Sequence, residues 1–235
     1  RSGPCLPCRW LIAMPENAPA TVGWPGQAWR IARRNSVARF SEIRPEDAML
    51  PNSGNRFDVS GAGVLYAASE PAACFGETLA RFRPSPKVVE AVGEVDGNFM
   101  VCGGVPADWR YNRVLAPVRY LGTLPFVDVE HPQTHAYMSR ELASYFHQLG
   151  YSEPIDVSDI RGRNRTLTRL IAAFVYAATD AVGEPLYAGI RCMSRLDSGW
   201  ECWALFDPET VEVGAGEAIA IEDVTLQATA RAFNL

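Results

Sequence analysis

The sequence predicts one α+β domain, and three observations point there. Short apolar runs bounded by Gly, Pro or Ser, such as "VLYAA" at 64–68 and "ECWALFD" in the last third, have the length of buried strands. Two stretches between them carry helical spacing. No G-x-G-x-x-G follows a strand, and "GAGVLY" puts its glycines ahead of one, where they cannot open a helix as a dinucleotide-binding turn does. With 235 residues and 48% hydrophobic content, the chain can bury one sizeable core.

Residues 1–28 are rich in Pro, Gly and Ala without sustained periodicity, so they read as an irregular arm ahead of a domain over 29–235. "AWRIARRNSVARF" opens the folded part. After the "VLYAA" strand, Ser69 is placed to cap a helix that Pro71 helps to start, running over 70–82 with Cys74, Leu79 and Phe82 inward and stopped by Pro84. Strands are expected at "KVVEAVGEV", "NFMVCGG" and "LPFVDVE". A helix follows between Gln133 and Leu149, ended by Gly150. A clearer one carries Leu167, Leu170, Ile171, Phe174, Val175 and Ala178 at i, i+3, i+4, i+7 and ends at Gly183. "PLYAGIRC", "ECWALFD" and "EAIAIEDVTL" read as strands joined by short turns.

The formal net charge of -5 and pI near 5.3 leave no global basic surface to drive binding to a nucleic acid, although a local patch survives that test. No run of about 18 apolar residues appears, so no spanning helix is expected. The six cysteines, at 5, 8, 74, 102, 192 and 202, are too dispersed for a disulfide framework, and several sit in apolar runs, which favours a reducing, cytoplasmic setting. Cys5 and Cys8 have zinc-knuckle spacing without a matching second pair, and His131, His135 and His147 fall together in one later segment, so no metal site is expected. The first residue is Arg1, which suggests a processed form or a piece of a longer chain.

Three polar residues stand out at intervals of about ten. Arg56 follows Asn52, Ser53, Gly54 and Asn55 in a turn, where an arginine is ordinarily solvated. Tyr66 sits in a short apolar strand, as core tyrosines do with the hydroxyl bonded nearby. Glu77 has Arg81 four residues on, and a weak surface pair would account for it.

Their order changes the reading. "AWRIARR", "NRFDVSGAGVLYAASEPAACFGETL", "IDVSDIRGRNRTLTRLIAAFVY" and "YAGIRCMSRL", over roughly 29–207, together resemble the RES domain, named for an arginine, a glutamate and a serine. Its members are toxins of bacterial toxin–antitoxin modules that consume NAD. The resemblance puts the family arginine at Arg56, the tyrosine at Tyr66, the glutamate at Glu77 and the serine at Ser194, with an earlier arginine at Arg30. Two positions depart from the pattern: Cys192 stands where an aromatic often precedes the serine, and Phe75 and Gly76 precede the glutamate.

The resemblance implies an ADP-ribosyltransferase-like fold, in which a split mixed sheet with flanking helices holds NAD in a central cleft. It implies cleavage of the nicotinamide–ribose bond by water or phosphate, or transfer of ADP-ribose to a protein. NAD would be a substrate, with inorganic phosphate as a second substrate in the phosphorolytic form, and no resident cofactor is implied. Arg30 and Arg56 suit a pyrophosphate, Tyr66 can stack on nicotinamide, Glu77 can stabilise positive charge on the ribose, and Ser194 can orient a hydroxyl. The implied partner is a small helix-turn-helix antitoxin of the Xre type, or an immunity protein if the chain is a secreted effector. Contact with nucleic acid would then pass through that antitoxin. Two other readings stay open: a binding module without activity, and a hydrolase using Cys74 or Cys192 with one of the histidines.

Overall fold

The structure, a computed structural model, describes residues 10–11, 18–93 and 104–235. In chain order the first elements are β1 (Trp10–Leu11), β2 (Thr21–Val22), β3 (Ala28–Arg33), α1 (Pro45–Ala48), β4 (Leu65–Ala68) and α2 (Pro71–Leu79). Then come α3 (Pro86–Gly93), α4 (Ala107–Tyr111), β5 (Arg113–Tyr120), β6 (Phe126–Asp128), α5 (Pro132–Glu141), α6 (Ala143–Gln148), α7 (Val157–Arg161) and α8 (Arg165–Ala177). The last are β7 (Ala178–Thr179), β8 (Gly189–Met193), β9 (Glu201–Leu205), β10 (Val211–Val213), β11 (Glu217–Ala218) and α9 (Val224–Ala232).

The main sheet runs β10-β5-β3-β4-β9-β8-β6-β2, with β11 also on β5. Neighbours are antiparallel except β6 and β8, so the sheet is mixed. It is also split. β3 pairs with β5 over six residues, but it meets β4 only at Trp29 and Ala68. The two halves diverge from that point, and a cleft opens between them.

Side-chain alternation explains the strands that face the core. Along β5, Val114, Ala116 and Val118 are buried while the residues between them are not, which is the period of two. Helices α5 to α8 cover one face of β6, β8 and β9, burying Tyr137, Met138, Leu142, Phe146, Leu167, Ile171 and Phe174 against Val127 and Ile190. Each such side chain contributes about 1.5–3 kcal/mol by leaving water. On the other face, Trp24, Phe126 and Trp203 pack edge-on or tilted with centroids 5.1–5.6 Å apart. A third cluster joins Phe75 and Leu79 of α2 to Trp109 of α4 and Leu226 of α9.

Several expectations need correcting. The described part of "KVVEAVGEV", up to Gly93, forms not a strand but α3, begun by Ser85, whose hydroxyl accepts from the Val88 N–H at 3.3 Å, and by Pro86. The cap of α2 is Glu70, not Ser69, and makes no side-chain cap bond; one 3-10 turn over Ala80–Phe82 continues the helix. The helix expected over 133–149 is two helices that break at Leu142. The helix over 165–177 ends where Ala178 turns extended and enters β7, before Gly183. "EAIAIEDVTL" is strand only at Glu217–Ala218, and Asp223 then caps α9, accepting from Thr225 and Leu226. The expected arm contributes β2 to the sheet edge, and Ala28 already belongs to β3. Most of "NFMVCGG" lies outside the described residues, as do Cys5, Cys8 and Cys102.

Candidate active site

The cleft at the split in the sheet has a volume of about 550 Å³. β3 supplies Arg30, β4 supplies Tyr66, α2 supplies Cys74 and Glu77, and Ser194 follows the end of β8. Arg56 enters from the loop ahead of β4. All five residues singled out in the sequence therefore line one cavity.

Ser194 begins the turn between β8 and β9. Its backbone N–H bonds the Trp200 carbonyl at 2.8 Å, and its Oγ accepts from the Leu196 N–H at 3.0 Å. The hydroxyl donates to Glu77 Oε1 at 2.5 Å, although Ser194 is only 3% exposed and Glu77 is exposed on α2. The Glu77 hydrogen bond thus crosses the cleft to Ser194, while Arg81 lies 5.3 Å above the Phe82 ring. Gly76 makes the approach possible. A Cβ there would meet Cζ3 of Trp200 at 2.0 Å, so glycine lets the indole lie against α2 beside Glu77.

Tyr66 and Arg56 are bound into one loop. The Tyr66 hydroxyl donates to Asp58 Oδ1 at 2.9 Å and accepts from the Phe57 N–H at 3.1 Å. Burial, then the Asp58 charge, pushes its pKa well above the ordinary range, so it remains a donor. Asp58, 1% exposed, also accepts from the Asn55 N–H at 2.6 Å. Gly54 takes φ 60 in the same turn, where a Cβ would press on Ile43 and Asp58. From α8, Arg165 donates to Asn52 and Gly54 carbonyls, Arg169 to Leu50 and Ser53, and Thr168 to Arg56. These residues lie on adjacent helical turns, which is why one face of α8 can hold five loop carbonyls.

The two arginines differ. Arg56 donates through Nη1 to the Ile160 carbonyl and through Nη2 to that of Arg161 at 3.4 Å, so both terminal nitrogens bind the end of α7. Arg30 donates through Nη2 to Arg39 at 3.1 Å, while its Nε and Nη1 are buried without a partner. Burial lowers the Arg30 pKa to about 10, which keeps it cationic at neutral pH.

The cysteines face the same space without reactive character. Burial pushes the Cys74 and Cys192 thiols up to about 12 and raises Cys202 as well. The protonated Cys74 thiol donates to the Trp29 carbonyl at 3.1 Å, a structural bond at the point where β3 leaves β4. His135 Nε2 is bonded to the Val129 carbonyl at 2.8 Å. A thiolate nucleophile is not what this arrangement favours. Among the described residues no group of three or more His, Cys, Asp or Glu side chains could hold a metal ion, and no helix is long and apolar enough to cross a membrane.

Sequence reasoning missed Asp58, Trp200 and the outer arginines. Arg81, Arg163, Arg165 and Arg195 line the cleft together with Arg30 and Arg56, against one carboxylate, Glu77. The dense arginines of "DIRGRNR" in an acidic chain were the available signal.

The family model described as the RES domain matches residues 27–226. No curated protein matches the chain. Among solved structures it is similar, at 13% identity and a TM-score of 0.48, to a chain of the M. tuberculosis MbcT–MbcA toxin–antitoxin complex, over 90% of this chain and 92% of that one. Because the family model spans most of the sequence, from the start of β3 into α9, the chain belongs to the RES domain family.

Proposed function

We propose that the protein is a toxin that consumes NAD by breaking the bond between nicotinamide and ribose, and that a cognate antitoxin restrains it. The observation that carries this reading is the Ser194–Glu77 hydrogen bond in a cleft that also gathers Arg30, Arg56 and Tyr66. The cavity volume falls within the range of small-molecule sites.

The residue types fit the reaction. When the glycosidic bond breaks, its electron pair leaves with the nicotinamide, which becomes neutral, and positive charge develops on the ribose. A fixed carboxylate opposite that charge lowers the barrier. Ser194 holds Oε1 of Glu77 and leaves Oε2 for the ribose. Because the serine hydroxyl donates to Glu77 and accepts from Leu196, it acts as a positioning group and not as a nucleophile. Arg30 brings two donors that no protein group engages, and a phosphate oxygen is the acceptor they suit. Tyr66, held by Asp58, offers its ring to the nicotinamide.

The incoming acceptor supplies an oxygen to the ribose and loses a proton to solvent. Water gives ADP-ribose, phosphate gives its phosphorylated form, and a protein side chain gives a modified protein. Incubating purified protein with NAD, with and without phosphate, and identifying products by mass separates these outcomes. Free or phosphorylated ADP-ribose supports the proposal. Label on protein assigns transferase activity instead, and unchanged NAD in the presence of soluble, folded protein overturns the enzymatic reading.

A further inference from the structure

A second groove, also about 550 Å³, lies outside the cleft and is lined by Arg33, Arg34, Asn35, Asn112 and Arg113. It forms where β3 ends and β5 begins. Arg33 and Arg113 are direct partners across that antiparallel ladder. Like charges in this position repel, and a carboxylate nearby would ordinarily offset them. Among the described residues no carboxylate lies within 4.0 Å of Arg33, Arg34, Arg110 or Arg113. Arg113 instead donates through Nη1 to the Trp109 carbonyl at 3.1 Å, with its guanidinium 5.5 Å from that indole, which leaves its other donors for an anion.

An exposed aromatic adjoins the groove. Tyr111 is 59% exposed, Arg34 Nε donates to its carbonyl at 3.3 Å, and the Arg110 guanidinium lies 4.4 Å over its ring. Burial, and after it the like charges of Arg81 and Arg33, lower the pKa of the Arg113 guanidinium.

We propose that this groove binds single-stranded nucleic acid, with phosphates at Arg33, Arg34 and Arg113 and a base stacked on Tyr111. Guanidinium groups present donors only, which suits phosphate oxygens, and the exposed ring supplies the stacking platform that an acidic peptide would not need. A single strand is favoured over a duplex because its bases are free to stack. The proposal does not rest on NAD cleavage, and it adds a direct contact to the one expected through an antitoxin.

Fluorescence anisotropy of the full chain with a labelled single strand of about 12 nucleotides, as DNA and as RNA, tests it. Three phosphate contacts predict that log Kd rises with log salt at a slope of about 2. Arg33→Glu with Arg34→Glu should weaken binding tenfold or more, and Tyr111→Ala by about fivefold to a hundredfold. Arg33→Gln alone, with an unchanged melting temperature, should show a smaller loss and excludes misfolding as the cause. Excess NAD should not displace the strand. Absence of binding by folded protein at about 50 mM salt, displacement by NAD, or wild-type affinity in Tyr111→Ala with equal competition from a polyglutamate peptide would each overturn the proposal, the last in favour of an acidic protein partner.

Discussion

Glu77 sits exposed on α2, yet its carboxylate accepts from a serine that is almost fully buried, and the proposed reaction assigns it the charge that faces the ribose. Glu77→Gln keeps the shape and a hydrogen bond to Ser194 but removes the charge. Turnover of NAD should fall by roughly 10² to 10³ with little change in affinity, measured as kcat against KM. The arginines make a graded prediction. Arg30 has two unpartnered nitrogens, whereas Arg56 spends both terminal nitrogens on α7. Arg30→Lys should therefore weaken NAD binding more than Arg56→Lys does, as titration calorimetry would show; the reverse order would make Arg56 the main anion ligand. That Arg30, Arg56, Tyr66, Glu77 and Ser194 would share one cavity was legible from their order along the chain, since each taken alone looks ordinary. Asp58 was not, because a carboxylate beside a turn looks solvated until the fold brings the Tyr66 hydroxyl to it.

A chain of bonds links the elements that carry Arg56 and Ser194. Arg56 binds the end of α7; Arg161, at that end, pairs with Glu130 at 2.8 Å; and Glu130 accepts from the Met193 N–H at 2.9 Å, one residue before Ser194. The Glu130 side chain is 9% exposed and that of Arg161 30%, between the regimes of exposed and buried pairs. Glu130→Ala should cost about 2 kcal/mol, lowering the melting temperature by roughly 4–8 °C. Glu130→Gln, which keeps an acceptor for Met193, should lose less stability and retain more activity. Equal losses would mean that the ion pair and not the Met193 bond sets the position of Ser194. Elements with a strong apolar period, α8 and β4, could be read directly. α3 could not, because Val88, Val89 and Val92 in close succession mimic a strand, although Ser85 and Pro86 stand at its start. The resemblance implied a split sheet but not its position between β3 and β4, because pairing is a property of two distant segments, and neither sequence records that they meet at a single residue pair.

The cleft is basic although the chain as a whole is acidic. The net charge is -5, yet the cleft is lined by Arg30, Arg56, Arg81, Arg163, Arg165 and Arg195 with only Glu77 opposing them. Clefts lined by one sign of charge concentrate counter-ions and orient approaching partners. An enzyme that empties the NAD pool must be blocked in its own cell, and the most direct block is to fill this cavity. The proposed antitoxin should therefore lay an acidic segment or its terminal carboxylate over Arg30 and the mouth arginines, mimicking the pyrophosphate. Three consequences can be measured together. Inhibition should be competitive with NAD; association should slow as salt rises, because the steering is electrostatic; and Arg163→Ala or Arg195→Ala, both exposed at the mouth, should slow association more than they speed dissociation. Equal affinity of the antitoxin for NAD-loaded and empty toxin would rule out occupation of the cleft, since a ligand that does not discriminate between two states cannot shift their balance.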